Sequence, residues 1–163
     1  MKRREFITKS SLTAAGITVG STAAWGLSNN FGANNMINIG VIGTGARGNG
    51  MIPYMDQIKG LNVAACCDVL PFRLEEGLSK TISNPKAYTD FRKLLDNKNI
   101  DAVFISTPLN THSDIAIQAL DAGKHVYCEK TLAKGFTAIE SLVKKAENSP
   151  KIFQVGHQYH SSR

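Results

Sequence analysis

Three glycines in Gly43-Thr44-Gly45-Ala46-Arg47-Gly48 have the spacing of a backbone that wraps a phosphate. Gly43 permits the tight turn, Gly45 lets the main chain approach the ligand without an intervening Cβ, and Gly48 allows a helix to pack closely on a strand. A glycine-rich loop alone can be just a turn. This one directly follows the apolar run Ile37-Asn38-Ile39-Gly40-Val41-Ile42, precedes a helical stretch, and lies twenty residues before Asp68, which ends the next apolar run. The helix N-terminus would offer free N–H groups and positive partial charge to a pyrophosphate. Asp68 would accept hydrogen bonds from ribose hydroxyls and repel a 2′-phosphate, so the expected ligand is NAD. NADP stays open, because Arg73 could tolerate that phosphate. Thr44 and Ala46 complete the cradle, and Arg47 either reaches a phosphate or stands as an exposed helix-start arginine.

Two further segments carry side chains suited to the same chemistry. Ser106-Thr107-Pro108-Leu109-Asn110-Thr111-His112 follows the apolar run at residues 102–105. Ligands of open α/β sheets bind at the carboxyl ends of the strands, so this turn faces the same crevice as the glycine loop. Thr107, Pro108 and Asn110 are candidates to touch the ribose and nicotinamide. His112 is either a cofactor contact or a polar residue near a helix start. The next run ends in Glu129-Lys130-Thr131. A lysine there can give a proton to a carbonyl, or help take one from an alcohol, while hydride moves to or from a nicotinamide. Glu129 joins it as a cofactor-side candidate, and a solvated surface lysine is the competing reading.

These residues need a scaffold of parallel strands. Short, continuous apolar runs at 37–42, 63–67, 102–105, 125–128 and 152–155 alternate with amphipathic stretches, the pattern of strands covered on both faces. Thr137 and Glu140 have capping-box spacing ahead of Ile139, Leu142, Val143 and Ala146. Ser113 can cap a helix running to Leu120, with Gly123 as its stop, and Asp90 can cap another before Phe91, Leu94 and Leu95. Pro53 lies inside the first helical stretch, so that helix is expected to begin late or kink. The expected fold is an α/β, doubly wound parallel sheet of Rossmann type with helices on both faces and right-handed crossovers.

Composition narrows the function classes. The chain has 163 residues, 42% of them hydrophobic and 20% charged, which suits a globular domain. The net charge of +6 is half concentrated at the start, where Lys2, Arg3, Arg4 and Lys9 face only Glu5. The remaining +3 forms no basic, aromatic-interleaved face, so no nucleic-acid partner is expected. Residues 1–35 read as a signal peptide, with Arg3-Arg4 ahead of Phe6-Ile7 resembling a twin-arginine export signal. The small-residue run after it is too weakly apolar for a membrane span, and the expected location is periplasmic or exported. Residues 36–163 form the expected dinucleotide-binding domain. Cys66, Cys67 and Cys128 lack metal or disulfide spacing and read as buried strand thiols.

Taken in order, Ile39-Gly40-Val41-Ile42-Gly43-Thr44-Gly45, Cys67-Asp68, Ser106-Thr107-Pro108 with His112, Ala122-Gly123-Lys124-His125-Val126 with Cys128-Glu129-Lys130, and Gln154-Val155-Gly156-His157-Gln158 resemble the Gfo/Idh/MocA family of glucose–fructose oxidoreductases and inositol dehydrogenases. The resemblance implies a two-domain NAD(P)-dependent oxidoreductase, whose second α/β domain presents a large sheet to a sugar, polyol or related substrate. It also implies that Lys130, matching the lysine of the family's Glu-Lys-Pro motif, stands near the nicotinamide. Thr131 replaces the proline, removing a fixed φ and an easy cis bond. No segment resembling the second domain lies before Arg163. The expectation is therefore a fragment or truncated frame that binds cofactor but turns over nothing alone, and whose complete form is a homo-oligomer. Some members of the family are glycoside hydrolases that use NAD without net consumption, and neither the glycine loop nor Lys130 separates the two activities.

Overall fold

The computed structural model describes residues 36–157; the signal-peptide reading of residues 1–35 and the match at Gln158 lie outside them. Strands β1 (Ile37–Ile42), β2 (Leu61–Cys67), β3 (Lys86–Tyr88), β4 (Ala102–Ile105), β5 (His125–Glu129) and β6 (Phe153–Gly156) form one sheet in the order β3-β2-β1-β4-β5-β6. All five neighbouring pairs are parallel. The order in which strands are added thus reverses between β1 and β4, opening a crevice at their carboxyl ends.

The apolar runs form strands because both their faces are covered. On one side, Ile39, Val41, Val63, Cys66 and Phe104 pack with Ile52 and Met55 of helix α1 (Ala46–Met55) and Leu74 of helix α2 (Pro71–Ser79). On the other, Ile42, Cys67, Val103, Ile105, Val126 and Cys128 pack with helices α3 (Phe91–Leu95), α4 (His112–Asp121) and α5 (Phe136–Glu147). All three cysteines are buried thiols, with no disulfide among the described residues. Burial pushes each of them up to about 12, with Asp56 adding to the effect at Cys66, Asp68 and Asp90 at Cys67, and Glu129 at Cys128.

Several local expectations shift. Helix α1 begins immediately after Gly45 rather than late, and runs through Pro53 to end two residues beyond it at Met55. Ser113 is not a cap: it lies inside α4, and its hydroxyl donates to Ala138 O, tying α4 to α5. Thr137 is not a cap either, because Gly135, at φ +90°, turns the chain into α5 before it. Asp90 does cap α3, accepting from Arg92 N. Helix α2, with Pro71 in its first turn, and the three-residue β3 are additional to the sequence reading. No helix among the described residues is long and apolar enough to cross a membrane.

Candidate functional site

The glycine loop leaves β1 at the point where sheet order reverses. Gly43 takes φ +91°, and a Cβ on it would meet the Ser106 backbone at 2.8 Å. The two loops are stitched together here: Gly43 N donates to Cys67 O, Ser106 N donates to Ile42 O, and Ser106 Oγ donates to Gly43 O at 2.7 Å. Gly48 faces the same carbonyl so closely that a Cβ would lie 2.0 Å from Gly43 O. Gly45 differs, since only Arg73 comes within reach of a Cβ there, at 3.6 Å. Two glycines therefore permit packing, and the third leaves an open approach to the backbone.

Asp68 is 8% exposed and braces the cradle. One carboxylate oxygen accepts from Thr44 N at 2.9 Å and the other from Leu70 N at 2.9 Å. Thr44 Oγ1 donates to Arg73 O at 2.9 Å, so Thr44 holds β1's loop to the start of α2 rather than facing a ligand. Each Asp68 oxygen has more than one lone pair, so acceptor capacity remains for ribose hydroxyls.

A cleft of about 730 Å³ opens at this edge. Of the residues singled out from sequence, Gly43, Gly45, Asp68, Thr107 and Pro108 line it, as do Arg73 and Ser106. Asp90, Arg92, Thr111 and Gln118 also line it and were missed. The one signal for them was Asp90's capping position, because the short β3 that brings it to the crevice is hardly visible in sequence. Ala46 and Asn110 are exposed beside these loops, outside the cleft lining.

Three candidates take other places. His112 is a buried residue, 2% exposed, and does not face the cleft. Its Nε2 lies 2.8 Å from Thr107 O and its Nδ1 3.0 Å from Thr131 O, so backbone carbonyls occupy both ring nitrogens. Arg47 pairs with Glu129, its Nε and Nη2 each 2.7 Å from Oε1. Glu129 is 5% exposed, and the guanidinium is what makes a carboxylate tolerable there. Burial, followed by Glu129, raises the Tyr127 phenol, against a smaller lowering by Arg47. Lys130, exposed, follows directly at the carboxyl end of β5, one strand beyond β4. Its peptide bond to Thr131 is cis even without proline. No cluster of metal-ligating side chains occurs among the described residues.

A cradle of this form at a parallel-sheet switch point has sequence relatives. Residues 37–157 match GFO_IDH_MocA, described as an oxidoreductase family with an NAD-binding Rossmann fold. The chain belongs to this family. An inositol 2-dehydrogenase of Salmonella typhimurium is 29% identical over 119 residues, covering 72% of this chain and 35% of that protein. A glycosyl hydrolase family 109 protein of Stenotrophomonas maltophilia is 33% identical over 139 residues, covering 79% and 29%. The scyllo-inositol dehydrogenase of Lactobacillus casei, solved with bound NAD(H) and scyllo-inositol, superposes with a TM-score of 0.71 at 28% identity, covering 78% and 38%. The chain spans about a third of the length of these relatives. It is an NAD-binding Rossmann domain of the Gfo/Idh/MocA family, and the glycine loop, Asp68 and the Thr107-Pro108 turn form the wall suited to that cofactor.

Proposed function

We propose that this Gfo/Idh/MocA domain is the cofactor-binding part of an exported oxidoreductase acting on a sugar or polyol, with NAD preferred over NADP. The observation that carries the reading is the cradle itself: Gly45 open to the cleft at the N-terminus of α1, with Asp68 and the Thr107-Pro108 turn on its flanks. The bound nicotinamide would supply hydride acceptance and donation. Free N–H groups of the first turn of α1 would hold the pyrophosphate, and Asp68 would accept from the adenosine ribose. Thr107, Pro108 and Asn110 would border the nicotinamide ribose. Lys130 would hold or deliver the proton at the reacting oxygen. Substrate contacts and completion of the catalytic group belong to a second domain of the kind the longer relatives have room for. Export rests on Arg3-Arg4 and the small-residue run after them, and self-association of the complete protein rests on the resemblance.

A second reading, NAD-dependent glycoside cleavage, is favoured by the similarity to a glycosyl hydrolase family 109 protein. NADH accumulating when polyols are added supports the first. Release of nitrophenol from nitrophenyl glycosides with no net NADH supports the second. Both readings require the cofactor site, so calorimetric titration of this chain with NAD and NADP is the primary test. Saturable binding, tighter for NAD, is expected, and Asp68→Asn should narrow the difference between the two cofactors. A folded chain that binds neither overturns the proposal.

A further inference from the structure

Lys130 has an unusual setting: one of its chain neighbours is fastened to the start of α1 and the other lies across the His112 ring from the turn that carries Thr107. Glu129 is held by Arg47, in the first turn of α1, where the glycine loop ends. Thr131 O lies 3.0 Å from His112 Nδ1, and Thr107 O lies 2.8 Å from the other nitrogen of that ring. Thr107 lines the cleft and is linked to Thr111 by a hydroxyl–hydroxyl hydrogen bond of 2.8 Å.

We infer that His112 and the Arg47–Glu129 pair are positioning residues, a two-sided fastening that sets Lys130 against the cofactor by tying its backbone to the two loops that border the cofactor cleft. The inference rests on the proposed role of Lys130. It adds the device that places the lysine, and gives tasks to the three polar residues, His112, Arg47 and Glu129, that do not line the cofactor cleft.

The argument for His112 is one of chemistry and location. A side chain buried to this degree, if it only filled space, would be served by an apolar residue at no desolvation cost. The imidazole instead meets two main-chain carbonyls, one on the Thr107 turn that lines the cleft and one on the residue directly after Lys130. Whichever ring nitrogen carries the proton donates to the carbonyl it faces, and the rigid ring fills the gap between the two segments, which a flexible side chain would not do with a fixed spacing. The argument for Glu129 is similar. A carboxylate beside the exposed lysine is buried, with Oε1 paired to an arginine 82 positions earlier in the first turn of α1, so the end of β5 is tied to the helix start that the glycine loop leads into. Both links act on residues adjacent to Lys130, one through the Glu129 carboxylate and one at the Thr131 carbonyl, so neither His112 nor Arg47 needs to touch the cofactor.

The test reads the lysine itself. Acetylation of Lys130 by acetic anhydride is followed by mass spectrometry relative to the exposed Lys93 and Lys144 of the same molecule, with and without saturating NAD. The unmodified chain should show Lys130 protected about tenfold or more by NAD, and His112→Phe should reduce that to below about threefold, as expected when a reacting group is displaced by an ångström or so. His112→Gln, which restores one donor, should fall between. Glu129→Gln should weaken protection from the other side and serves as the deciding variant if His112→Phe does not fold. A merely structural role would lower the melting temperature of the variants yet leave protection at saturating NAD intact, and that result overturns the inference. If the unmodified chain binds NAD without protecting Lys130, the placement of the lysine falls and the fastening with it. If the variants alone keep full protection, only the fastening falls.

Discussion

Alanine at Gly45 and at Gly48, introduced separately, should divide cofactor binding from folding. Gly45 has φ −70°, a conformation open to alanine, and its new Cβ would meet only Arg73 Nη1 at 3.6 Å. A stiffer unfolded chain favours the variant by about 0.4–1 kcal/mol, and the poorer N-cap offsets roughly the same amount. Stability is therefore nearly unchanged. The methyl group, however, stands at the wall of the cleft, between the N–H groups of α1 and any phosphate they hold. Loss of one hydrogen bond to a charged oxygen costs about 1.5–3 kcal/mol, which is about 10- to 150-fold in the Kd for NAD. At Gly48 the order of effects is different. Its Cβ would lie 2.0 Å from Gly43 O and 2.9 Å from Ser106 Oγ, whereas a carbon and an oxygen rest about 3.3 Å apart, so α1 must retreat by about 1 Å. Overpacking of that kind costs about 1–3 kcal/mol. Thermal melts and calorimetric titration with NAD, run on both variants, read the two quantities. Gly45→Ala should melt with the unmodified chain and bind weakly; Gly48→Ala should lose melting temperature and affinity together. A folded Gly45→Ala that binds NAD with undiminished affinity would refute the assignment of the open glycine to the phosphates. A Gly48→Ala that melts normally would refute the close helix–strand contact.

The remaining expectations concern the frame around the site. Cys66, Cys67 and Cys128 ionise near 12 in the folded chain against 9.0 for an exposed thiol. The folded state thus holds these protons more tightly than the unfolded chain. Their stabilisation is intact below pH 9 and declines as pH rises from 9 toward 12, by about 1.4 kcal/mol per pH unit for each thiol. Denaturant melts should show Cys128→Ala with a shallower decline in this window, and an identical slope would contradict the burial; below denaturation, thiol reagents at pH 8 should find all three cysteines unreactive. Lys124 is 4% exposed, burial lowers the pKa of its ammonium, and it donates to Asn97 O and Ile100 O at 2.8 Å each. Lys124→Met should destabilise the chain by on the order of 2 kcal/mol in chemical denaturation while leaving NAD affinity unaltered, since the lost bonds lie away from the cleft; an unchanged midpoint would show that those carbonyls find other partners.

The parts of this protein that sequence exposes are those in which a local rule and a tertiary demand coincide. Ile37 through Gly48 announces strand, turn and helix start, because each glycine's task follows from its offset in the loop. Asp68 is legible by its distance from that loop, and Asp90 caps α3 as its residue type suggests. Ser113 and Thr137 mislead for a shared reason: a hydroxyl near a helix start looks like a cap from sequence, and only the packing of α4 on α5 sends Ser113 to Ala138 O. The short β3 hides because three residues carry almost no periodic signal, and its place is decided by pairing with β2.

At the site, residue type and spacing determined by themselves that a dinucleotide cradle stands at the edge of a parallel sheet, with a carboxylate and a lysine on that edge. This much is local: backbone freedom at glycine, free N–H groups at a helix start, and the alternation of apolar runs with helices are all properties of short segments. The tertiary structure alone decided what His112, Arg47 and Glu129 do. The imidazole could have faced a ligand, and the arginine a phosphate. Burial instead leaves His112 and Glu129 to find partners within the fold: the ring lies between the Thr107 and Thr131 carbonyls, and the acid takes the exposed Arg47, 82 residues earlier in the chain. Spacing along a chain carries no record of such pairings, because they are set by which strands lie side by side.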